Sequence, residues 1–287
     1  MKNLSVILVM IATAAAAQTT RSGDYSLDKN YKMDERGTID LRSSDAKVTI
    51  SGSSRKDVHL KIDRHVDTRG FTMGDREFSV EVEEVGGNLR IDERQHDNTV
   101  AVVGYYNEVY TISIEAPEGI SLRIKGDDGD YMIKSIHGSM DLDLDDADVD
   151  IVGCKGDKFS FRLDDGEIKM DEARGVLEVS IDDADVEIQN AKFTRINAEI
   201  DDGDFIVQTS LADNGDYYID SQDGSIIFTV SAGGGKFDIR HDDASVRADA
   251  AFTEVEESED RSRYTLGTGN AKVDIRADDA RVKLAKL

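Results

Sequence analysis

One phrase recurs along most of the chain: two Asp residues, then Ala or Gly, then apolar residues at every second position. Full copies of the Asp pair begin at 127, 145, 164, 182, 201, 242 and 278, and looser copies begin at 44, 222 and 269. The small residue that closes the phrase falls at 129, 147, 166, 184, 203, 224 and 244, so successive copies are 18 to 21 residues apart. A repeat of this length is typical of proteins in which each repeat is one unit stacked on the next.

Within each repeat the apolar residues change parity at the Asp pair. Met140, Leu142 and Leu144 precede one pair at even positions, whereas Ala147 and Val149 follow it at odd positions. Alternation with a period of two predicts a strand with one buried face, so each repeat holds two short strands. A strand cannot exchange its buried face without a bend, and the Asp pair therefore predicts a corner. The Ala or Gly after it predicts a close approach between backbones.

These repeats predict an all-β protein, specifically a β-solenoid or parallel β-helix with two short strands per coil of about 18–21 residues. Composition agrees, because Val and Ile together number 47 against 15 Leu, and β-branched residues favour strands. An antiparallel sandwich of hairpins is the alternative, since it also has short alternating strands. The repeated phrases run in one chain direction and in phase, which favours the solenoid.

The N-terminus has the pattern of a secretory signal peptide. A basic residue, Lys2, precedes an uncharged stretch from Leu4 to Ala17 that ends in small residues. A membrane anchor is the alternative, but a span needs about 20 apolar residues. We expect cleavage after Ala17 and a secreted protein, located in the periplasm or at the cell surface. Its one Cys allows no internal disulfide, so a large sheet core must stabilise it.

The sequence divides into four parts. Residues 1–17 are the predicted signal peptide, 18–37 a predicted flexible segment, 38–125 a set of irregular coils or a cap, and 126–287 the regular solenoid. Residues 249–263 interrupt the regular part as a predicted loop. The final copies, 271–275 and 280–284, are rich in Lys and Arg, which is typical of a terminal strand that guards an open sheet edge.

The formal net charge of −25 limits the partners of this chain. Acidity of this size disfavours electrostatic binding to nucleic acid or to a bare anionic membrane. Residues 126–204 contain 24 acidic and 8 basic side chains, so they carry −16 of the total. The charge is thus concentrated at the predicted corners.

The segment from Tyr110 to Ile133, which contains the only proline, Pro117, carries a family resemblance. An apolar alternation ends in this proline, a second alternation begins a few residues later, and coils with Gly follow. This arrangement resembles the putative-adhesin family of secreted bacterial proteins, also called toastrack or head-domain β-solenoids. The resemblance covers about residues 38–287. It implies a cell-envelope or surface location and an adhesive, sensing or scaffolding role, and it supplies no catalytic motif.

Stacked corners would bring carboxylates to about 4.8 Å from one another, where they repel. One interpretation is structural: one Asp of each pair bonds the corner backbone in an Asx-turn while the other faces water. The other is that Ca²⁺ lies between successive corners, because Ca²⁺ accepts several oxygen ligands in loose geometry. The sequence then predicts a ladder of calcium ligands formed by one Asp from each corner: Asp128, Asp146, Asp165, Asp183 and Asp202.

Enzymatic motifs are absent from the sequence. It contains no Gly-x-Ser-x-Gly, phosphate loop or His-Glu-x-x-His, its five His are scattered, and Cys154 has no evident partner base. We therefore predict no enzymatic activity and no certain cofactor. The predicted function is adhesion, sensing or scaffolding through an acidic face, with a surface or envelope protein, a cationic peptide or a glycan as partner. The alternative is a β-helix enzyme that acts on polysaccharides through Asp carboxylates, with or without Ca²⁺.

Overall fold

The structure is a computed structural model that describes residues 23–73, 76–97 and 101–287. Within these ranges the chain forms twenty β-strands and no helix. In chain order they are β1 (Tyr25–Lys32), β2 (Thr38–Ser43), β3 (Ala46–Ser53), β4 (Asp57–Met73), β5 (Arg76–Val85), β6 (Asn88–Asp97), β7 (Ala101–Pro117), β8 (Ser121–Lys134), β9 (Met140–Val152), β10 (Phe159–Asp171), β11 (Arg174–Asp202), β12 (Asp204–Ser210), β13 (Asp216–Ser221), β14 (Ser225–Ala232), β15 (Gly235–His241), β16 (Ser245–Ala248), β17 (Thr253–Glu257), β18 (Arg261–Leu266), β19 (Ala271–Ala277) and β20 (Arg281–Lys286). The predicted all-β class is confirmed.

The repeats stack as parallel coils. Strands β8, β9, β10 and β11 pair in register, so that Gly129 lies beside Ala147, Ala147 beside Gly166, and Gly166 beside Ala184. Parallel pairing of successive repeats excludes a sandwich of hairpins, because hairpin strands run antiparallel. The predicted β-solenoid is confirmed.

Each coil contributes one segment before its Asp pair and one segment after it. We call the sheet of preceding segments sheet 1 and the sheet of following segments sheet 2; strands β8 to β11 run through the corner and belong to both. The apolar residues of both segments are buried and face one another, as shown by the rings of Tyr217 and Phe228, whose centroids are 6.1 Å apart within one coil. The core is therefore a continuous column between the two sheets.

Two antiparallel strand pairs, β5 with β6 and β4 with β7, extend the N-terminal end of the column. Strand β6 adds to β2 in sheet 1 and pairs with β5, while β7 adds to β3 in sheet 2 and pairs with β4. Strand β1 pairs with β4 and forms the edge, with Tyr25 and Tyr31 buried. The prediction of a flexible segment over residues 18–37 is therefore wrong for residues 25–32, because these two aromatic side chains anchor a strand on the core.

The C-terminal coil does not lie at the end of the column. Strand β19 pairs with β13 on one side and β15 on the other, and β20 lies between β14 and β16. The last coil in the sequence is thus inserted between two earlier ones. The prediction that its basic residues guard an open edge is wrong, because both of its strands are paired on both sides.

Strands β17 and β18 cover the end of sheet 1 instead. Strand β18 pairs antiparallel with β15, and β17 pairs with β18. The predicted loop over residues 249–263 is therefore wrong for residues 253–257 and 261–263, which belong to these two strands. Alternation of Ser262, Tyr264 and Leu266 buries one face of β18, and this alternation begins inside the charged stretch.

The predicted signal peptide, residues 1–17, lies outside the described residues. No helix in the described ranges has the length and apolar character needed to cross a membrane.

Candidate functional site: the acidic ridge

The Asp pairs form a continuous ridge along the edge where sheets 1 and 2 meet. In each pair both side chains are exposed, whereas the apolar residues on either side are buried, as in the run from Leu144 to Ala147. The predicted change of parity is confirmed. Asp128, Asp146, Asp165 and Asp183 pair with one another in order across neighbouring strands. We call the stacked Asp pairs the acidic ridge.

The small residue after each pair is required by the close approach of two backbones. A Cβ atom on Gly166 would lie 2.2 Å from the carbonyl oxygen of Ala147, and one on Gly203 would lie 2.2 Å from that of Ala184. Both glycines also have positive φ, 114° and 137° respectively. A longer side chain would separate adjacent coils at the ridge.

The ridge continues through the inserted C-terminal coil. The backbone nitrogen of Asp223 donates to the carbonyl oxygen of Asp201 at 3.0 Å, that of Asp279 donates to Gln222 at 2.8 Å, and that of Asp242 donates to Ala277 at 3.1 Å. In space the Asp pair at 278–279 therefore precedes the pair at 242–243. The inversion in chain order leaves the acidic surface unbroken.

The carboxylates of the central ridge form few contacts with the protein. At the corners 127–128, 145–146, 164–165 and 182–183, no Asp side chain takes part in a hydrogen bond or ion pair with a described residue. The expected Asx-turn is therefore wrong at these corners. At the next corner, the side-chain amide of Gln222 donates to Asp201 at 2.7 Å.

The five predicted calcium ligands lie along this ridge. Four of them are direct neighbours, and Asp202 follows Asp183 at the repeat distance of 19 residues. In the described ranges no three His, Cys, Asp or Glu side chains are arranged around a common point that could hold a metal ion. Binding of Ca²⁺ would require ridge carboxylates to turn toward each other, and it stays a prediction.

The first corner differs from the others in sequence and in contacts. Here Ser44 replaces the first Asp, its hydroxyl donates to Glu93 at 2.6 Å, and its backbone nitrogen donates to the same carboxylate at 3.0 Å. An Asp at this position would place a second carboxylate against Glu93. Ser44 therefore avoids this repulsion at the corner where β6 leaves the column and the ridge ends.

Two grooves flank this end of the ridge. The groove on the side of sheet 2 has a volume of about 480 Å³, and the groove on the side of sheet 1 has a volume of about 630 Å³. Each contains a lysine engaged in an ion pair, Lys47 with Asp130 at 3.6 Å and Lys125 with Asp143. Both grooves are thus lined mainly by carboxylates. Acidic residues that line them are Asp45, Glu108, Asp128, Asp130, Asp146 and Asp148 in the first, and Asp45, Asp92, Glu93, Asp127, Asp143 and Asp145 in the second.

The strand pair β4–β7 and the hairpin β5–β6 form two layers that border the grooves, and sequence reasoning missed them; we call these four strands the hairpin projection. Arg64 holds its base: it donates to Glu108 at 2.5 Å and to the carbonyl oxygen of Gly23 at 2.5 Å, and it stacks on the ring of Phe78 at 4.4 Å. Beyond this base, Tyr105 and Val109 are 53% and 54% exposed. The sequence signal for the β5–β6 hairpin is Gly86-Gly87. These residues form a two-residue turn with positive φ at both positions, and they join β5 to β6.

Cys154 and two of the histidines each contact other groups of the fold. Burial raises the pKa of the Cys154 thiol, which lies in the core and accepts a hydrogen bond from the backbone of Ile136 at 3.4 Å. A thiol with a raised pKa is a poor nucleophile at neutral pH. His59 pairs with Asp28 at 2.8 Å, and His241 contacts the hydroxyl of Ser262 at 3.1 Å. The two histidines therefore occupy separate pairings and form no shared site.

Comparison with protein families decides the relationship of this chain. The family model described as Toastrack DUF4097 matches residues 36–285, which includes every coil of the column. The chain belongs to the toastrack family. Its resemblance to the putative-adhesin, or toastrack, β-solenoids is thereby confirmed over most of the sequence.

One solved structure supports the toastrack fold. A putative adhesin from Bacteroides fragilis is 12% identical, with alignment over 91% of this chain and 97% of that one and a TM-score of 0.51. A putative lipid-binding protein from Parabacteroides distasonis is also 12% identical, with coverage of 90% and 96% and a TM-score of 0.49. Similarity at this level shows the fold alone. A search of curated protein sequences finds no match.

Proposed function

We propose that this toastrack protein is a non-enzymatic binding protein of the cell envelope or surface, and that its acidic ridge engages a cationic partner. The observation that supports the proposal is the stacking of carboxylates at the four central corners, which have no counter-ion among the residues that the structure describes. A row of like charges at strand spacing attracts a multivalent cation more strongly than scattered charges do. A basic peptide, or a basic surface on an envelope protein, has the matching chemistry.

The grooves beside the first corner are the proposed initial binding site of the partner. They are lined by carboxylates of the ridge and of the hairpin projection, and Tyr110 and Val109 add apolar surface to the first groove. Lys and Arg side chains combine a charged head with an apolar stem, so a groove of this composition can accept both parts. The basic residues in the grooves, Lys47, Lys125 and Arg42, each have an acidic partner, which favours a cationic partner over a polysaccharide substrate.

The direct test is binding of a fluorescent octalysine peptide, followed by anisotropy at increasing salt. The ridge variant carries Asp146→Asn, Asp165→Asn and Asp183→Asn. The control variant removes three exposed charges from the opposite edge of the column by Glu35→Gln, Asp157→Asn and Glu172→Gln. Net charge is the same in the two variants, so a difference between them reports position on the molecule.

We expect the ridge variant to bind about tenfold more weakly than the control, since three lost contacts of about 0.5 kcal/mol each correspond to that ratio. Binding to the unaltered protein should weaken steadily with salt. Equal affinities for the two variants would contradict a role of the ridge. Failure of octalysine to bind at low salt would contradict the cationic-partner proposal altogether.

Calcium is a second ligand proposed for the same ridge. We expect calorimetry with CaCl₂ to give binding heat and a rise in the melting temperature at millimolar metal, both reduced in the ridge variant and kept in the control variant. NaCl at matched ionic strength controls for screening. Absence of heat, together with a melting temperature that NaCl reproduces, would exclude calcium binding.

A further inference from the structure

Three cations lie close together on the outer face of sheet 2, near the C-terminal end of the column. Arg281 and Lys283 are outward residues of β20, and Arg247 pairs with Lys283 from the neighbouring strand β16. All three side chains are exposed, and none forms an ion pair with any residue in the described ranges. Side chains on adjacent strands or two positions apart lie within about 7 Å, so these charges repel one another. We call them the basic patch.

The same face of sheet 2 is acidic on the other side of its middle. Asp185 and Glu187 face outward on β11, and Glu167 and Asp171 face outward on β10. Among the outward residues of the paired sheet 2 segments of these strands, 167–171 and 185–189, Lys169 is the only basic one, and it is paired with Glu167. The part of this face that runs from β10 to β16 thus carries opposite charge on its two sides.

Between these two sides the outward residues of β12 and β14 carry one charge, that of Asp204, and are partly apolar. Ile206 on β12 pairs with Ile227 on β14, and both side chains point outward and are only half-buried. Gln208 and Thr229 lie beside them in the next row. Two isoleucines in contact on an outer face form an apolar centre that another surface can cover.

We infer that this face pairs with the same face of a second copy of the chain. The last six strands of sheet 2 lie in the order β10, β11, β12, β14, β20, β16, and the midpoint of these six falls between β12 and β14. A twofold axis parallel to the strands at this midpoint places β20 of one copy opposite β11 of the other. It also places Ile227 of one copy opposite Ile206 of the other.

Residues that pair across neighbouring strands form rows perpendicular to the strands, and these rows decide which charges of the two copies meet. Arg281 occupies the row of Asp185, and Lys283 occupies the row of Glu187, because the intervening strands pair in continuous register. Arg281 and Lys283 therefore meet carboxylates of the second copy, twice in a symmetric dimer, whereas Arg247 lies opposite Lys169, whose charge is paired with Glu167. The alternative axis, parallel to the column, would place basic patch on basic patch, and like-charge repulsion disfavours it.

The dimensions of the face set the expected affinity. Six strands at about 4.8 Å spacing and about 20 Å in length offer on the order of 600 Å² per copy. A stable complex usually buries about 800 Å² per partner. We therefore expect a weak, salt-sensitive dimer with a dissociation constant in the micromolar range. The acidic ridge lies at the sheet edge and stays accessible, with both ridges on the same side of the dimer.

Sedimentation velocity of the full chain, at 5 to 200 µM and at low and high salt, tests the inference. Arg281→Glu with Lys283→Glu should weaken the dimer at least tenfold, and Asp185→Lys with Glu187→Lys should do the same. A chain that carries all four changes should dimerise again, since the charges are exchanged. The control, Lys236→Glu with Lys272→Glu, alters the same end of sheet 1 and should leave the dimer unchanged.

Circular dichroism and the melting temperature of each variant verify folding, because Asp185 also accepts a hydrogen bond from the backbone of Asp204 at 2.8 Å. A chain that stays monomeric at 200 µM and low salt would overturn the inference. So would a dimer that neither pair of changes weakens, or one that the fourfold exchange fails to restore. The measurement contains no ligand, so its outcome is independent of the proposed binding function.

Discussion

Neutralising one carboxylate in the middle of the acidic ridge should stabilise the protein. Asp165 pairs with Asp146 on one side and Asp183 on the other, and it forms no hydrogen bond or ion pair with a described residue. Its charge therefore meets two like charges at strand spacing and no compensating group. Asp165→Asn keeps the shape of the side chain and removes both repulsions.

The magnitude follows from the spacing of the strands. Two unit charges about 4.8 Å apart repel by about 0.9 kcal/mol in water, and screening at 0.15 M salt leaves about half of this. Two neighbours thus give Asp165→Asn a gain of about 1 kcal/mol in the free energy of unfolding at 0.15 M salt. At 1 M salt the same arithmetic leaves about 0.3 kcal/mol.

Thermal unfolding at both salt concentrations measures the effect. A gain of about 1 kcal/mol corresponds to a rise of about 2–4 °C in the melting temperature, and it should shrink to about 1 °C in 1 M NaCl. The control is Asp157→Asn, an exposed Asp in the connection between β9 and β10. The reasoning is refuted if Asp165→Asn lowers the melting temperature, or if its gain is independent of salt or equal to that of the control.

Three further changes test other parts of the molecule. Gly166→Ala should destabilise the protein by at least about 2 kcal/mol, because the new Cβ atom would clash with the backbone of Ala147. Gly153 has open space around it, so Gly153→Ala should cost only about 1–2 kcal/mol, from its positive φ. Urea unfolding measures both costs, and equal values would contradict the clash at Gly166. Phe228→Ala should destabilise by about 3–5 kcal/mol, because the ring is fully buried between Tyr217 and Phe237; a loss below about 1 kcal/mol in the same assay would contradict a tight column. Burial, with the charges of Asp238 and Asp216, raises the pKa of Asp274, so its ionisation opposes folding and Asp274→Asn should stabilise at pH 7. This gain should fall as pH is lowered through the raised pKa and vanish below the unfolded value of about 3.9, where Asp274 is protonated in both states; urea unfolding from pH 3 to 7 checks it, and a gain that persists at pH 3 would contradict the cause.

The regular coils were predictable because local pattern and long-range pairing agree in them. The parity change around Asp145-Asp146 fixes which side chains are buried, and the step of 18 or 19 residues fixes which strands are neighbours. Each central coil pairs with the next in sequence, so a one-dimensional reading is sufficient. The stacking of Asp128, Asp146, Asp165 and Asp183 follows from the same two facts.

The ends of the column were not predictable in this way, because their pairings depend on choices between equivalent partners. The phrase at 242–244 follows the phrase at 222–224 in phase, so β15 could stack directly on β13 as far as sequence shows. Insertion of β19 is favoured by contacts that no local pattern reports. At the other end, the bond between Ser44 and Glu93 joins residues 49 positions apart.

The insertion of β19 and β20 between earlier strands makes the order of synthesis differ from the order of assembly. Residues 235–266 are made before their neighbours on the column, residues 271–286, have left the ribosome. Until then β13 and β15 each present an unpaired edge on the side where β19 belongs, and unpaired edges recruit foreign strands. A premature stop codon after residue 270 would therefore leave a gap in the interior of the column. In most solenoids, by contrast, truncation of the chain removes coils from one end only.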